Sequence, residues 1–173
     1  MGFLDKLTGT KRPAAGVAPR SAQEVRDALL AQGGGDVPWA VRGAEPGEKA
    51  EFVAEWRMRE PAWRGFFLSR SRHLDRTVRI RMRLVPEERV VRAVQEQWEV
   101  TWVDGTPRFA RSREYGRGQG RTVSKQWTFG RDGNGGRRLE ETFSFDSAEL
   151  TGPLRDAVLK AGWTWRAVTF GKL

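Results

Sequence analysis

The residues best suited to chemistry in this chain are arginines, and they occur in two arrangements that suit anion binding. Glycines at alternate positions let a backbone adopt positive φ and bring amide groups close to an oxyanion. Arginine adds paired hydrogen bonds to phosphate. The first arrangement is a glycine-rich loop, whose predicted contact residues are Arg113, Gly116, Arg117, Gly118, Gly120 and Arg121. The alternative interpretation is a flexible hairpin loop that binds nothing.

The second arrangement is an alternating row formed by Arg79, Arg81 and Arg83. On a strand these side chains share one face and lie about 7 Å apart, near the phosphate spacing of a nucleic-acid strand. This pattern predicts an anion-binding sheet face. A cross-strand ladder with Glu99, and with Glu96 as a further acid, is the alternative, because both lie on the strand expected to pair with this row.

Other chemistries find little support in the sequence. The chain has no cysteine and one histidine, His73, so it lacks the residues for a thiolate nucleophile or a two-histidine metal site. No nucleophile turn of the G-x-S-x-G type is present. We interpret His73 as an ordinary surface residue. The sequence therefore predicts a protein that is not an enzyme and has no metal or cofactor.

The net charge of +9 is concentrated in two stretches of the chain. Residues 57–83 contain nine arginines against Glu60 and Asp75, a net charge of +7. Residues 108–138 contain nine basic residues against Glu114 and Asp132, again a net charge of +7. The remainder of the chain is acidic. Such clustering fits an anionic partner and a solubilising role equally well.

Hydrophobic periodicity predicts an α+β fold. We expect an antiparallel meander sheet or partly closed barrel of about seven or eight strands, with an N-terminal helix, a short middle helix and a C-terminal helix before a last strand. A capping box at Ser21–Glu24 begins the first helix, and Val25, Leu29 and Leu30 should share its apolar face. Pro153 fits the start of the C-terminal helix.

The domain organisation follows from composition. Residues 1–20 are predicted to be a flexible tail, since residues 8–19 are rich in glycine, proline and alanine, and residues 21–173 a single domain. No stretch approaches the roughly 20 apolar residues of a membrane span, and no signal peptide is evident. A soluble, cytoplasmic location is the expectation.

The two ends of the chain resemble small proteins of high-GC actinobacteria. The opening MGFLDKLTGTKRP and the ending AGWTWRAVTFGKL carry this resemblance, which implies no activity. At the level of the fold, a meander followed by a late helix and a last strand is similar to the tubby/LURP-one/scramblase group. That likeness implies a barrel around a helix at residues 150–161, and in some members phosphoinositide binding through basic residues.

We therefore predict a non-enzymatic binding domain for an anionic partner. Nucleic acid is the leading partner, followed by an anionic membrane surface or a phosphorylated ligand. One alternative is a protein–protein interaction or homo-oligomerisation module. Another is a ligand-binding barrel or cup, whose aromatic lining would be Trp56, Trp98, Trp102 and Trp127.

Overall fold

A mostly antiparallel sheet with helices on one face forms the body of the protein. The computed structural model describes residues 9–71, 74–111, 123–131, 137–168 and 173. The helices are α1 (Ala22–Ala31), α2 (Arg64–Leu68, after a 3₁₀ turn at Pro61–Trp63) and α3 (Ser147–Lys160). The strands are β1 (Thr10–Lys11), β2 (Trp39–Gly43), β3 (Phe52–Trp56), β4 (Arg76–Val85), β5 (Val90–Val103), β6 (Thr106–Arg111), β7 (Val123–Arg131), β8 (Arg137–Asp146) and β9 (Thr164–Ala167).

Seven of the described strands form one open sheet, in the order β1-β9-β5-β4-β3-β2, with β6 also paired to β5. The predicted α+β class is confirmed, and the sheet is open rather than closed into a barrel. The strands β7 and β8 pair with each other as a separate two-stranded sheet. The short strand β1, inside the segment predicted as a tail, pairs with β9.

The long strand β5 organises the sheet. One of its edges pairs with β4 through residues 90–99. On the other edge β9 runs parallel to residues 90–93, and β6 runs antiparallel to residues 98–103. The parallel pairing is possible because α3 returns the chain to the start of β5. As a result, β9 and the β5–β6 turn lie at opposite ends of β5.

The hydrophobic core lies between the helices and one face of the sheet. Alternate residues of β4, including Ile80 and Met82, are almost completely buried against this core. On α1, Val25 and Leu29 are fully buried, as the capping-box helix predicts. The assignment of Leu30 to the same face is wrong. Its side chain is 40% exposed, because α1 buries only the narrow stripe that meets α3 and the sheet.

The prediction that Pro153 begins the last helix is also wrong. The helix α3 starts at Ser147, and Pro153 lies inside it. An internal proline lacks one amide donor and costs about 3 kcal/mol. Leu150, Leu154 and Val158 are fully buried at successive four-residue intervals, and their burial outweighs that cost.

Candidate functional site: an arginine cleft beside an aromatic pocket

The face of the sheet opposite the helices carries a network of ion pairs that includes two of the predicted anion-binding arginines. Glu96 of β5 is 6% exposed and accepts hydrogen bonds from three arginines. The donor–acceptor distances are 2.8 Å from Arg81 Nε, 3.3 Å from Arg79 Nη2 and 2.5 Å from Arg111 Nη2. Burial raises the pKa of Glu96, but the three positive charges outweigh it, so the net effect is a lowered pKa.

A second carboxylate extends this network toward β2. Glu48 receives two hydrogen bonds from Arg42, at 2.8 and 2.9 Å, and one from Arg79 Nη1, at 3.2 Å. Arg42 also pairs with Glu55 at 3.0 Å. The hydrogen bonds from Arg42 are the main reason that the pKa of Glu48 falls to about 2. We call this set the Arg–Glu network; its members are Arg42, Glu48, Glu55, Arg79, Arg81, Glu96 and Arg111.

The predicted arginine row is therefore divided. Arg79 and Arg81 have counter-charges within the Arg–Glu network, which is the arrangement that the ladder alternative describes. Glu96 is the acid involved, whereas Glu99 is exposed and lies opposite Arg76. Arg83 is exposed and donates to the backbone oxygen of Leu173 at 3.1 Å. The glycine-rich loop contacts, Arg113 to Arg121, and His73 lie outside the described residues.

Three arginines without ion pairs to described residues lie near the C-terminal end of β5, whereas β9 pairs with its N-terminal end. A cleft of about 510 Å³ opens between the start of α2, the β5–β6 turn and β6. Arg59, Arg64 and Arg108 line it. All three are exposed, and none forms an ion pair with any residue that the structure describes. No carboxylate occurs among the described lining residues. We call this site the arginine cleft.

Local structure explains why these arginines meet. The strand β3 ends at Trp56, and buried Met58 anchors the chain as it turns toward α2. Phe67 is fully buried in the core, and Arg64 and Leu68 of the same helix lie next to the β5–β6 turn. Gly105 in that turn has φ of +73°, and a Cβ there would lie 3.7 Å from Arg64 Nη2. The cleft thus depends on a tight turn directly beneath an arginine.

Arg57 shows how a neighbouring arginine is used differently. Its guanidinium donates to the backbone oxygens of Trp39, Gly33 and Gly34 at 2.9, 2.6 and 3.1 Å, and pairs with Glu60 at 2.8 Å. These bonds tie β3 to the end of α1. Two positions later, Arg59 makes no such bonds and instead lies over the ring of Phe109, 4.5 Å from its centroid.

A smaller pocket adjoins the arginine cleft, because Arg59 and Phe109 line both. Its volume is about 170 Å³, and Trp56 and Trp98 are part of its wall. The guanidinium of Arg79 lies over the ring of Trp98, with its Cζ 4.7 Å from the ring centroid. We call this site the aromatic pocket. Of the predicted aromatic lining, it includes Trp56 and Trp98 but not Trp102, which donates to the Leu74 backbone oxygen. The side chain of Trp127 is outside the described residues.

Sequence reasoning did not single out Arg64, Arg108 or Phe109 as site residues. The available signal was the two basic stretches: Arg59 and Arg64 belong to the first and Arg108 to the second. No protein-family model, curated protein or solved structure matches the chain. In the described part of the chain no helix is long and apolar enough to span a membrane.

Proposed function

We propose that this protein is a non-enzymatic, cytoplasmic binding domain for an anionic partner, and that the partner is nucleic acid. The observation that carries the proposal is the arginine cleft. Its three guanidinium groups come from different parts of the fold, line one cavity and form no ion pair with a described residue. Guanidinium groups bind phosphate in a bidentate manner, and such contacts supply most of the affinity of proteins for nucleic acids.

The cleft is a better candidate than the row on β4 for a physical reason. A phosphate that approached Arg79 or Arg81 would have to compete with Glu48 and Glu96, which are already within hydrogen-bond distance. At the cleft a phosphate meets exposed arginines that form no ion pair with a described residue. Arg83 and the loop contacts Arg113, Arg117 and Arg121 remain predicted secondary contacts.

The direct test is a fluorescence-anisotropy titration of labelled single- and double-stranded oligonucleotides at low salt. The variant Arg59→Glu/Arg64→Glu/Arg108→Glu should bind at least about tenfold more weakly, because it removes three phosphate contacts and adds repulsion. The control variant Lys11→Glu/Arg89→Glu/Lys160→Glu makes the same change in net charge at the other end of β5. It should retain most of the affinity.

Two results would overturn the proposal. One is the absence of affinity for any oligonucleotide at low salt. The other is equal weakening by the cleft variant and the control variant, which would show a response to net charge alone. Binding to vesicles of phosphatidylserine and phosphatidylcholine, without binding to oligonucleotides, would replace nucleic acid with a membrane surface as the partner.

A further inference from the structure

The aromatic pocket contains two buried hydrogen-bond donors that lack partners. Arg79 Nε and Trp98 Nε1 are both inaccessible to solvent, and neither has a hydrogen-bond partner among the described residues. Both residues line the pocket. A buried donor without an acceptor costs about 1–3 kcal/mol, and such groups are rare in folded proteins. These two unmatched N–H dipoles make the wall of the pocket electropositive, which favours a ligand with electron-rich atoms facing it.

The Arg–Glu network fixes the side chain of Arg79 in this orientation. Its Nη1 donates to Glu48 and its Nη2 to Glu96, so Nε is the one guanidinium nitrogen of Arg79 without a described partner. The two carboxylates that line the pocket are likewise engaged, since Glu55 pairs with Arg42 and Glu60 with Arg57. The pocket thus combines an electropositive wall, aromatic surface and neutralised acids.

The size of the pocket and its position define the ligand class. A cavity of about 170 Å³ is smaller than the roughly 300–1,000 Å³ that a drug-sized molecule occupies, and suits one planar ring system. Arg59 and Phe109 form the wall shared with the arginine cleft, so a ring in the pocket lies next to phosphates in the cleft. Unstacked bases bind on aromatic rings and on arginine planes in the same manner.

We infer that the aromatic pocket binds an unstacked base, and that the ligand is single-stranded rather than double-stranded nucleic acid. This inference rests on the proposed function, since the adjoining cleft supplies the phosphate contacts. The base places its ring against Phe109 and Trp98, and its carbonyl oxygens or ring nitrogens face the electropositive wall formed by Arg79 and Trp98. A duplex cannot do this without unpairing, because its bases are enclosed in the stack.

The test compares three probes with the full-length protein: a short oligothymidylate, an abasic strand with the same number of phosphates, and a duplex of the same length. Oligothymidylate should bind at least about fivefold more tightly than the abasic strand, the low end of the range for one stacked base. The Trp98→Ala variant should lose most of this difference and keep its affinity for the abasic strand, because Trp98 lines the aromatic pocket but not the arginine cleft.

A second measurement reports on Trp98, whose ring contacts the base. The indole N–H resonance of Trp98, assigned by its absence in Trp98→Phe, should shift on addition of oligothymidylate and stay in place with the abasic strand. Equal affinity for all three probes, together with an unmoved Trp98 resonance, would overturn the base pocket while leaving the arginine cleft intact. Failure of every probe to bind would instead contradict the proposed function.

Discussion

Glu96 is the residue on which the polar face of the sheet depends. It is buried, and it accepts from three arginines that come from β4 and β6. Its partner Arg81 has a side chain that is only 8% exposed. Breaking a buried ion pair by neutralising one member is costly, because the other charge is left without compensation. Stability, rather than ligand binding, is therefore the role that the structure assigns to Glu96.

The Glu96→Gln variant should lower the free energy of unfolding by about 3 kcal/mol. Glutamine keeps an acceptor oxygen but cannot neutralise Arg81. Urea denaturation followed by circular dichroism measures the difference. Glu87→Gln is the matched control: Glu87 is exposed and has no ion pair with a described residue, so it should change stability by less than about 0.5 kcal/mol. Equal effects of the two variants would contradict this role.

Glu48 makes the protein sensitive to acid. Hydrogen bonds from Arg42 hold its pKa at about 2, below the ordinary value of 4.5. A carboxyl with a lowered folded-state pKa stabilises the protein fully above its unfolded-state pKa, and this contribution disappears as pH falls through the folded-state pKa. The stability difference between the native protein and Glu48→Gln should therefore be constant above about pH 5 and shrink between about pH 4.5 and 2. A stability difference that is independent of pH would contradict this role of Glu48.

At the scale of elements, α3 carries two helix-breaking residues in its middle. Gly152 and Pro153 are adjacent, yet the helix continues to Lys160 because its apolar stripe is fully buried. Tertiary packing thus overrides local propensity in this segment. Gly162, two residues after the end of α3, has φ of +74° and lies against Ala18 and Pro19 of the N-terminal segment.

Gly65 in α2 and Gly162 should respond oppositely to alanine. Outside its chain neighbours and its own helix backbone, a Cβ added at Gly65 meets no atom within 4 Å, so Gly65→Ala should stabilise the protein by about 0.5 kcal/mol. A Cβ at Gly162 would lie 2.7 Å from the Ala18 backbone oxygen, in a conformation that disfavours a side chain. Gly162→Ala should therefore destabilise it by more than about 1 kcal/mol. Thermal melts of both variants measure these effects; the same sign for both would refute the explanation.

At the scale of the whole molecule, the two basic stretches of the sequence meet in space. The first stretch contributes Arg59 and Arg64 to the arginine cleft, and the second contributes Arg108. Other arginines of the same stretches are neutralised in the Arg–Glu network. The net charge of +9 is therefore a poor guide to the local field, which depends on which arginines lack a nearby carboxylate.

This division of the charge predicts a specific salt dependence. Each phosphate contact contributes about 0.7 to the slope of log affinity against log salt for a single strand. Arg59→Gln/Arg64→Gln/Arg108→Gln should therefore lower the magnitude of that slope by about 2. The variant Lys11→Gln/Arg89→Gln/Lys160→Gln should leave it nearly unchanged. Anisotropy titrations over a series of salt concentrations measure both slopes, and a fall of similar size in both variants would contradict the cleft as the contact surface.

The sequence by itself determined most of the elements, because their causes are local, whereas β1 and the extent of α3 depend on tertiary packing. The capping box at Ser21, the alternation along β4 and the turn signals between strands specify helix and strand without reference to the rest of the chain. Local signals also placed Arg79, Arg81 and Arg83 on one face of β4. They predicted the surplus of positive charge, but not which arginines lack an ion pair.

Only the tertiary structure decided which arginines remain free. Arg57 and Arg59 are two positions apart and look alike in the sequence, yet Arg57 donates to backbone oxygens of α1's C-terminal loop while Arg59 faces the cleft. The field at a guanidinium depends on carboxylates and carbonyls within a few ångströms. Long-range pairing brings those groups there, as Glu96 meets Arg81 only when β5 folds back along β4.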